Sequence, residues 1–256
     1  MTSFIYFFLN GTGVELWEFG LLCIVSFLGS LITASVGLGG GTLTLATMAL
    51  LMPPTVLIPI HGFVQLGSNF GRALLLYRDV LRDIIPTFVV GTIIGAIIGG
   101  QVVVALPVEI LQIILSVFIL YTVWIPALKA QIFRKFTFIS VGAIGAFTTM
   151  FVGATGPLIA PFVIAASKDR KQIVGTHASL MTIQHSFKLI VFGFIGFSFA
   201  PYVLLIISLI SFGFVGTYLG KLALNRLSEN IFRGALKLVL TFMALKLFCD
   251  AFSVWF

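Results

Sequence analysis

Four short polar connections, at residues 78–83, 129–135, 167–172 and 221–233, separate long apolar runs that together extend from residue 16 to residue 250. In a bilayer every backbone N–H and C=O must be satisfied within the protein, so runs of this length read as transmembrane helices. The composition excludes a soluble domain: 59% of the side chains are hydrophobic and 9% charged, against about 25% charged in a soluble protein. Such a chain cannot cover a surface that faces water. The class is therefore an all-α polytopic membrane protein, a single integral membrane domain over residues 1–256. A net charge of +7 would suggest nucleic acid as the partner of a soluble domain. Here the basic residues sit in the connections, so they report topology, lipid is the surrounding medium, and no nucleic-acid partner is implied. Cys23 and Cys249 have no metal or redox spacing and exclude a disulfide scaffold. Residues 1–14 are expected to form an interfacial or loosely ordered leader. They do not read as a cleavable signal, because the apolar run 4–9 is short and no basic residue precedes it.

Laying the chain on itself reveals two halves, approximately 16–127 and 137–250. Gly37 pairs with Gly153, Gly40 with Gly156 and His61 with His177, each 116 residues apart, and the same offset aligns Asn69 with His185 and Arg72 with Lys188. Further on, Gly95 and Gly99 pair with Gly216 and Gly220 at an offset of 121, and Leu106-Pro107 with Leu227-Ser228. Each half opens on an apolar stretch interrupted by glycines, 16–51 broken at 37–41 and 137–166 broken at 153–157. Three further spans follow, near 57–77, 84–105 and 109–127, then near 173–199, 202–222 and 231–250. Gly91, Gly95 and Gly99, with Gly213, Gly216 and Gly220, form small-residue faces for close helix packing. The bland alternative is that glycine-rich membrane helices resemble one another by composition.

The broken stretches decide the topology. If each crosses once, there are eight spans, the halves are parallel and the basic loops divide evenly between the two sides. If each turns back as a re-entrant hairpin, there are six crossings and the halves are inverted. All four basic loops then face the cytoplasm, with Glu15, Glu18, Glu109 and Asp250 opposite. The positive-inside rule favours the inverted arrangement, with both termini on the non-cytoplasmic side of the cytoplasmic membrane.

Non-helical backbone at membrane depth is tolerated where it is buried in protein or lines a cavity. A helix restarting after such a break aims unpaired N–H groups and a positive dipole end at that cavity, which suits an anion. The expected cradle is Gly39, Gly40, Gly41 and Thr42 in the first half and Thr155, Gly156 and Pro157 in the second, with Pro157 at the first helical position and Thr42 at the start of the matching half-helix. The competing reading is that these glycines only permit close packing. Along the next helix, His61, Gln65, Asn69 and Arg72 share a face, and His177, Gln184, His185 and Lys188 repeat it. Polar side chains inside a membrane segment are costly and face a bundle interior or a water-filled path. Arg72 either joins that face or snorkels to the interface, and Gln65 and Asn69 either line the path or bond neighbouring helices. Lys188 lies deeper, where a bound anion or a protein acceptor is needed. A histidine titrates near neutrality, so His177 or His185 offers a route to proton coupling.

Enzyme motifs are absent. There is no H-E-x-x-H and no P-loop, 37–42 lacks the last glycine of a dinucleotide fingerprint, and 196–200 lacks the second glycine of a nucleophile elbow. No cofactor or metal is implied, and the chain reads as a non-enzyme.

Gly37-Leu38-Gly39-Gly40-Gly41 with the apolar run after it, Pro53-Pro54, the Gly91/Gly95/Gly99 series ending in Leu106-Pro107, and the duplicated layout together resemble the TauE/SafE family of sulfite exporters over roughly residues 20–250. The second half departs from the family's glycine run, having Gly153-Ala154-Thr155-Gly156-Pro157. The resemblance implies a permease that exports sulfite or a related sulfur-containing anion across the cytoplasmic membrane. Combined with the residues above, the expectation is a secondary transporter working by alternating access, with the anion held near the midplane between facing helix N-termini. An anion channel of the same fold and a membrane-embedded partner-binding or assembly protein are the alternatives.

Overall fold

The computed structural model describes residues 11–36, 39–126, 136–223 and 229–253. Most of the expected leader, Gly37-Leu38, the 129–135 connection and Leu227-Ser228 lie outside the described residues. Those described are 86% helical and contain no strand. The helices are α1 (Leu16–Val36), α2 (Gly40–Leu51), α3 (Pro54–Leu75), α4 (Ile85–Ala105), α5 (Val108–Trp124), α6 (Thr137–Val152), α7 (Gly156–Ala166), α8 (Arg170–Phe194), α9 (Val203–Ala223) and α10 (Glu229–Phe252). Short 3-10 turns at Arg82–Ile84 and Ala200–Tyr202 lead into α4 and α9. Among the described residues, three segments are long and apolar enough to cross a bilayer: Leu16–Ala34, Arg82–Ala105 and Ala200–Gly220. Polar stripes lower the hydropathy of α3 and α8, while α5 and α6 are shorter apolar helices. At 1.5 Å per residue, α2 and α7 reach only about 18 and 16 Å, roughly half a hydrocarbon core.

Local chemistry sets the helix ends. The Glu18 carboxylate accepts the Glu15 N–H at 2.8 Å at the start of α1. Asp169 caps α8 by accepting from Gln172 N at 2.8 Å, the ordinary way of satisfying an orphan N–H. Pro86 stands in the first turn of α4, where its missing N–H is harmless. The two breaks are made by left-handed glycines, Gly39 at φ 100° and Gly153 at φ 75°, a conformation that costs an L-residue its Cβ clearance.

The chain forms two compact units. The first comprises Met1–Val64, Pro107–Ile125 and Ser198–Phe256. In it α9 lies along α1, and α10 packs on α5 and α2 around Ala46, Ile119, Val123, Leu240 and Ala244. Two cross-helix bonds reinforce it, Ser26 Oγ donating to Leu209 O at 2.7 Å and Trp124 Nε1 donating to Thr241 Oγ1 at 2.9 Å. The second unit comprises Gln65–Leu106 and Pro126–Phe197. In it α4 lies along α6 and α8 packs on α4, α7 and α6, with a core of Phe88, Phe138, Ile159, Val163, Leu180 and Met181.

The glycine faces build one seam in each unit. On α4, a Cβ at Gly91 or Gly95 would overlap the carbonyl oxygens of Ile139 and Ala143 on α6, and one at Gly99 would lie 3.1 Å from the carbonyl of Phe147. On α9, a Cβ at Gly216 would overlap the carbonyl of Phe27 on α1, and one at Gly220 would lie 2.5 Å from that of Leu31. Backbone meets backbone along both seams, the arrangement that small residues permit between membrane helices.

Candidate anion-binding breaks

In the first unit α2 restarts at Gly40, directly after the left-handed Gly39, so Thr42 is the third residue of the helix and not its opening one. Gly39 supplies no side-chain cap, leaving the first-turn N–H groups without an intrahelical partner. A Cβ at Gly40 would overlap the carbonyl of Gly29, so this glycine serves the close approach of α1 and α2. Thr42 is buried. His61, fully buried on α3, donates from Nε2 to the carbonyl of Gly41 at 3.1 Å. A carbonyl can only accept, so this bond requires a proton on Nε2.

The second unit carries the richer break. Gly153 ends α6, Thr155 precedes α7 and Pro157 is its second residue, one place later than the first-position expectation. Position two still belongs to the turn whose N–H groups have no intrahelical acceptor, so proline is tolerated there as well. Three side chains of α8 hold this turn. His177 Nε2 donates to Gly156 O at 3.1 Å. Gln184 Nε2 donates to Thr155 Oγ1 and, at 2.9 Å, to Gly145 O on α6. Lys188 Nζ donates to Gly153 O at a long 3.4 Å. The Thr155 hydroxyl spends a lone pair on Gln184 and leaves α7 without a side-chain cap. Thr155, Gln184 and Lys188 are each 0% exposed and His185 is 1% exposed, while His177 is half-buried.

Lys188 sets the electrostatics. Among the described residues the ion pair formed is Lys246–Asp250 at 2.7 Å, on an exposed face of α10, and no carboxylate pairs with Lys188. A buried ammonium with one long bond to a carbonyl is incompletely compensated, and a bound anion is the complementary charge. The 116-residue offset places Arg72 opposite Lys188, yet the guanidinium is spent on its own helix, donating to Ser68 O at 3.2 Å and Asn69 Oδ1 at 3.0 Å. Asn69 in turn donates to Gln65 O at 2.7 Å. Neither Asn69 nor Gln65 bonds a break residue among the described residues, and both belong to the second unit while His61 belongs to the first.

Sequence reasoning missed Gly145 and Thr149. The Gly145 carbonyl orients Gln184, and Thr149 Oγ1 reaches the Gly153 carbonyl at 3.5 Å. A usable clue was present: Gly29 and Thr33 stand 116 residues before them, and Thr33 Oγ1 donates to Gly29 O at 3.0 Å.

No curated protein and no solved structure matches the chain. A family described as Sulfite exporter TauE/SafE matches residues 22–247. With nearly the whole chain inside that match, this apolar helical protein belongs to the TauE/SafE sulfite exporter family, a family of membrane transporters of sulfite or related anions.

Proposed function

We propose that the protein is a secondary transporter that exports sulfite or a related small sulfur-containing anion, with the anion held at the broken-helix N-termini and alternating access between two inverted halves. The observation that carries this reading is Lys188, fully buried, without a carboxylate partner among the described residues, and bonded to the same turn as Thr155 and His177. A tetrahedral or pyramidal oxyanion accepts from an ammonium, a hydroxyl and backbone amides together, and such charge-assisted bonds are the strong ones.

Duplication of the halves is supported by the two seams. Ala143 and Phe147, which meet Gly95 and Gly99, stand 116 residues after Phe27 and Leu31, which meet Gly216 and Gly220. The fourth helix of each half therefore packs on the first helix of the other, in matching register. This reciprocity is what two copies of one folding pattern produce when each completes the other. His177 or His185 would offer a route for proton coupling.

Purified protein in proteoliposomes preloaded with sulfite is expected to give saturable efflux. Flux linear in concentration would indicate a channel, and no flux from folded protein would favour a partner-binding role.

Inverted halves place the N- and C-termini outside the cytoplasm and the basic connections within it. A cytoplasm-dependent fluorescent reporter fused after the C-terminus is expected to stay dark in cells of the native host type, with one inserted at residues 78–83 fluorescing. The opposite pattern would overturn the inverted topology.

A further inference from the structure

We infer that the second break selects a singly protonated oxyanion, a monoanion carrying one O–H, and that Gln184 is the residue that reads that proton. The inference rests on the transport reading above and specifies its substrate.

Gln184 is 0% exposed and its Oε1 has no hydrogen-bond partner among the described residues. The orientation of the amide is decided by its surroundings. Nε2 faces the Gly145 carbonyl at 2.9 Å, and turning the amide over would set two acceptors against each other. Oε1 is therefore an acceptor, and it belongs to the amide whose nitrogen sits on Thr155 of the break. A Cβ at Gly145 would lie 3.3 Å from Oε1 and 3.0 Å from Ile159 Cδ1, so glycine there permits the close approach of the Gln184 amide to α6. A buried carbonyl oxygen left unmet is costly, and most such atoms in native proteins find a donor.

The rest of the break has the opposite character. The Lys188 ammonium donates, and the Thr155 hydroxyl, whose lone pair is taken by Gln184, has its proton to give. The Gly156 N–H lies in the first turn of α7, without an intrahelical acceptor. These groups suit the charged oxygens of an anion. A fully deprotonated oxyanion offers only acceptors, so it would leave Oε1 unmet and face repulsion from it. An oxyanion of the form HO–XO₂⁻, hydrogensulfite in its O–H form among them, satisfies the donors with two oxygens and Oε1 with its hydroxyl. Charge agrees with this choice. Lys188 is the cation bonded to the break, whereas Arg72 is bonded to its own helix. The other titratable groups of α8 within the unit's interior are His177 and His185, and the sequences of α4, α6 and α7 contain none.

The test compares sulfite with methanesulfonate, a permanent monoanion without an O–H, by ligand-dependent thermal stabilisation of the full-length purified protein across the pH range in which sulfite passes from one negative charge to two. Apparent affinity scales with the fraction of ligand in the competent form, so the affinity for total sulfite is expected to fall about tenfold per pH unit once the doubly charged form dominates. That for methanesulfonate should stay weak and flat. In Gln184→Met the sulfite profile should lose its advantage over methanesulfonate; if that variant fails to fold, the wild-type pair of profiles decides alone. Sulfite affinity that holds or rises with pH overturns the proposal while leaving sulfite transport intact. Parallel decline of both ligands also overturns it, because a protein group would then be titrating. Absence of binding by either anion at every pH overturns this proposal and the transport reading together.

Discussion

Replacing Lys188 with methionine is expected to abolish sulfite-dependent stabilisation without harming the fold. Lys188 is wholly buried and makes one long bond, to Gly153 O at 3.4 Å, so the unliganded protein gains little from its charge. Burying a charge without compensation is costly, so an apolar side chain of similar length there is neutral or stabilising. The liganded protein behaves oppositely, since truncating one partner of a buried charged pair costs about 2–5 kcal/mol. Sulfite affinity should therefore fall by at least about thirtyfold, while the unfolding midpoint without anion holds or rises. Both quantities come from one thermal titration of wild type and Lys188→Met. Wild-type affinity in the variant would remove Lys188 from the site, and a collapsed midpoint would make it a structural cation.

The second large effect concerns the glycine seams. Gly95→Ala sets a methyl against the carbonyl of Ala143, and Gly216→Ala sets one against the carbonyl of Phe27. The obstructing atoms are backbone, so neither a rotamer change nor a side-chain shift relieves them, and the helices must separate. Overpacking of this kind costs about 1–3 kcal/mol. Gly71 is the control: it stands in α3, and a Cβ there meets nothing within 4 Å. Gly71→Ala should gain up to about 1 kcal/mol from helix propensity. Thermal unfolding in a mild detergent is expected to rank Gly71→Ala above wild type and both seam variants well below it. If Gly95→Ala and Gly216→Ala are as stable as Gly71→Ala, the backbone contacts along the seams are not formed.

Much of this was legible in the sequence, for reasons that can be located. Glycine runs at 37–41 and 153–157 mark the breaks because only glycine adopts the left-handed turn at Gly39 and Gly153 without strain. The offset that aligned His61 with His177 has the same consequence in both units, a ring Nε2 donating to a first-turn carbonyl of the restarted helix. Helical spacing also placed Gln184 and Lys188 on one face. Spacing assigns a face but not the surface opposite it. Hence Asn69 and Arg72, which share a periodic stripe with His61, turn out to bond each other and their own helix. The glycine series of α4 and α9 announced close packing but not the partner, which in each case is the opening helix of the other half. Gly145 and Thr149 escaped notice because a carbonyl acceptor leaves no trace in residue type.

The two breaks also differ in chemistry, and that difference bears on mechanism. Where the second break offers Thr155, Gln184 and Lys188, the first has Gly39, Ser68 and Arg72 at the corresponding positions. The first break is thus built mainly from backbone, the second from side chains, one of them charged. A transported anion would depend chiefly on the second, and the loss of Lys188 should be felt far more than any substitution at Ser68.

Carrier transport through one alternately exposed site is tested by counterflow of labelled sulfite in proteoliposomes. With a high concentration of unlabelled sulfite inside and a trace of labelled sulfite outside, a carrier with one alternately exposed site gives a transient accumulation of label above equilibrium. Wild type is expected to show this overshoot and Lys188→Met to lose it. Entry of label that only approaches equilibrium, equally in wild type and variant, would contradict carrier transport.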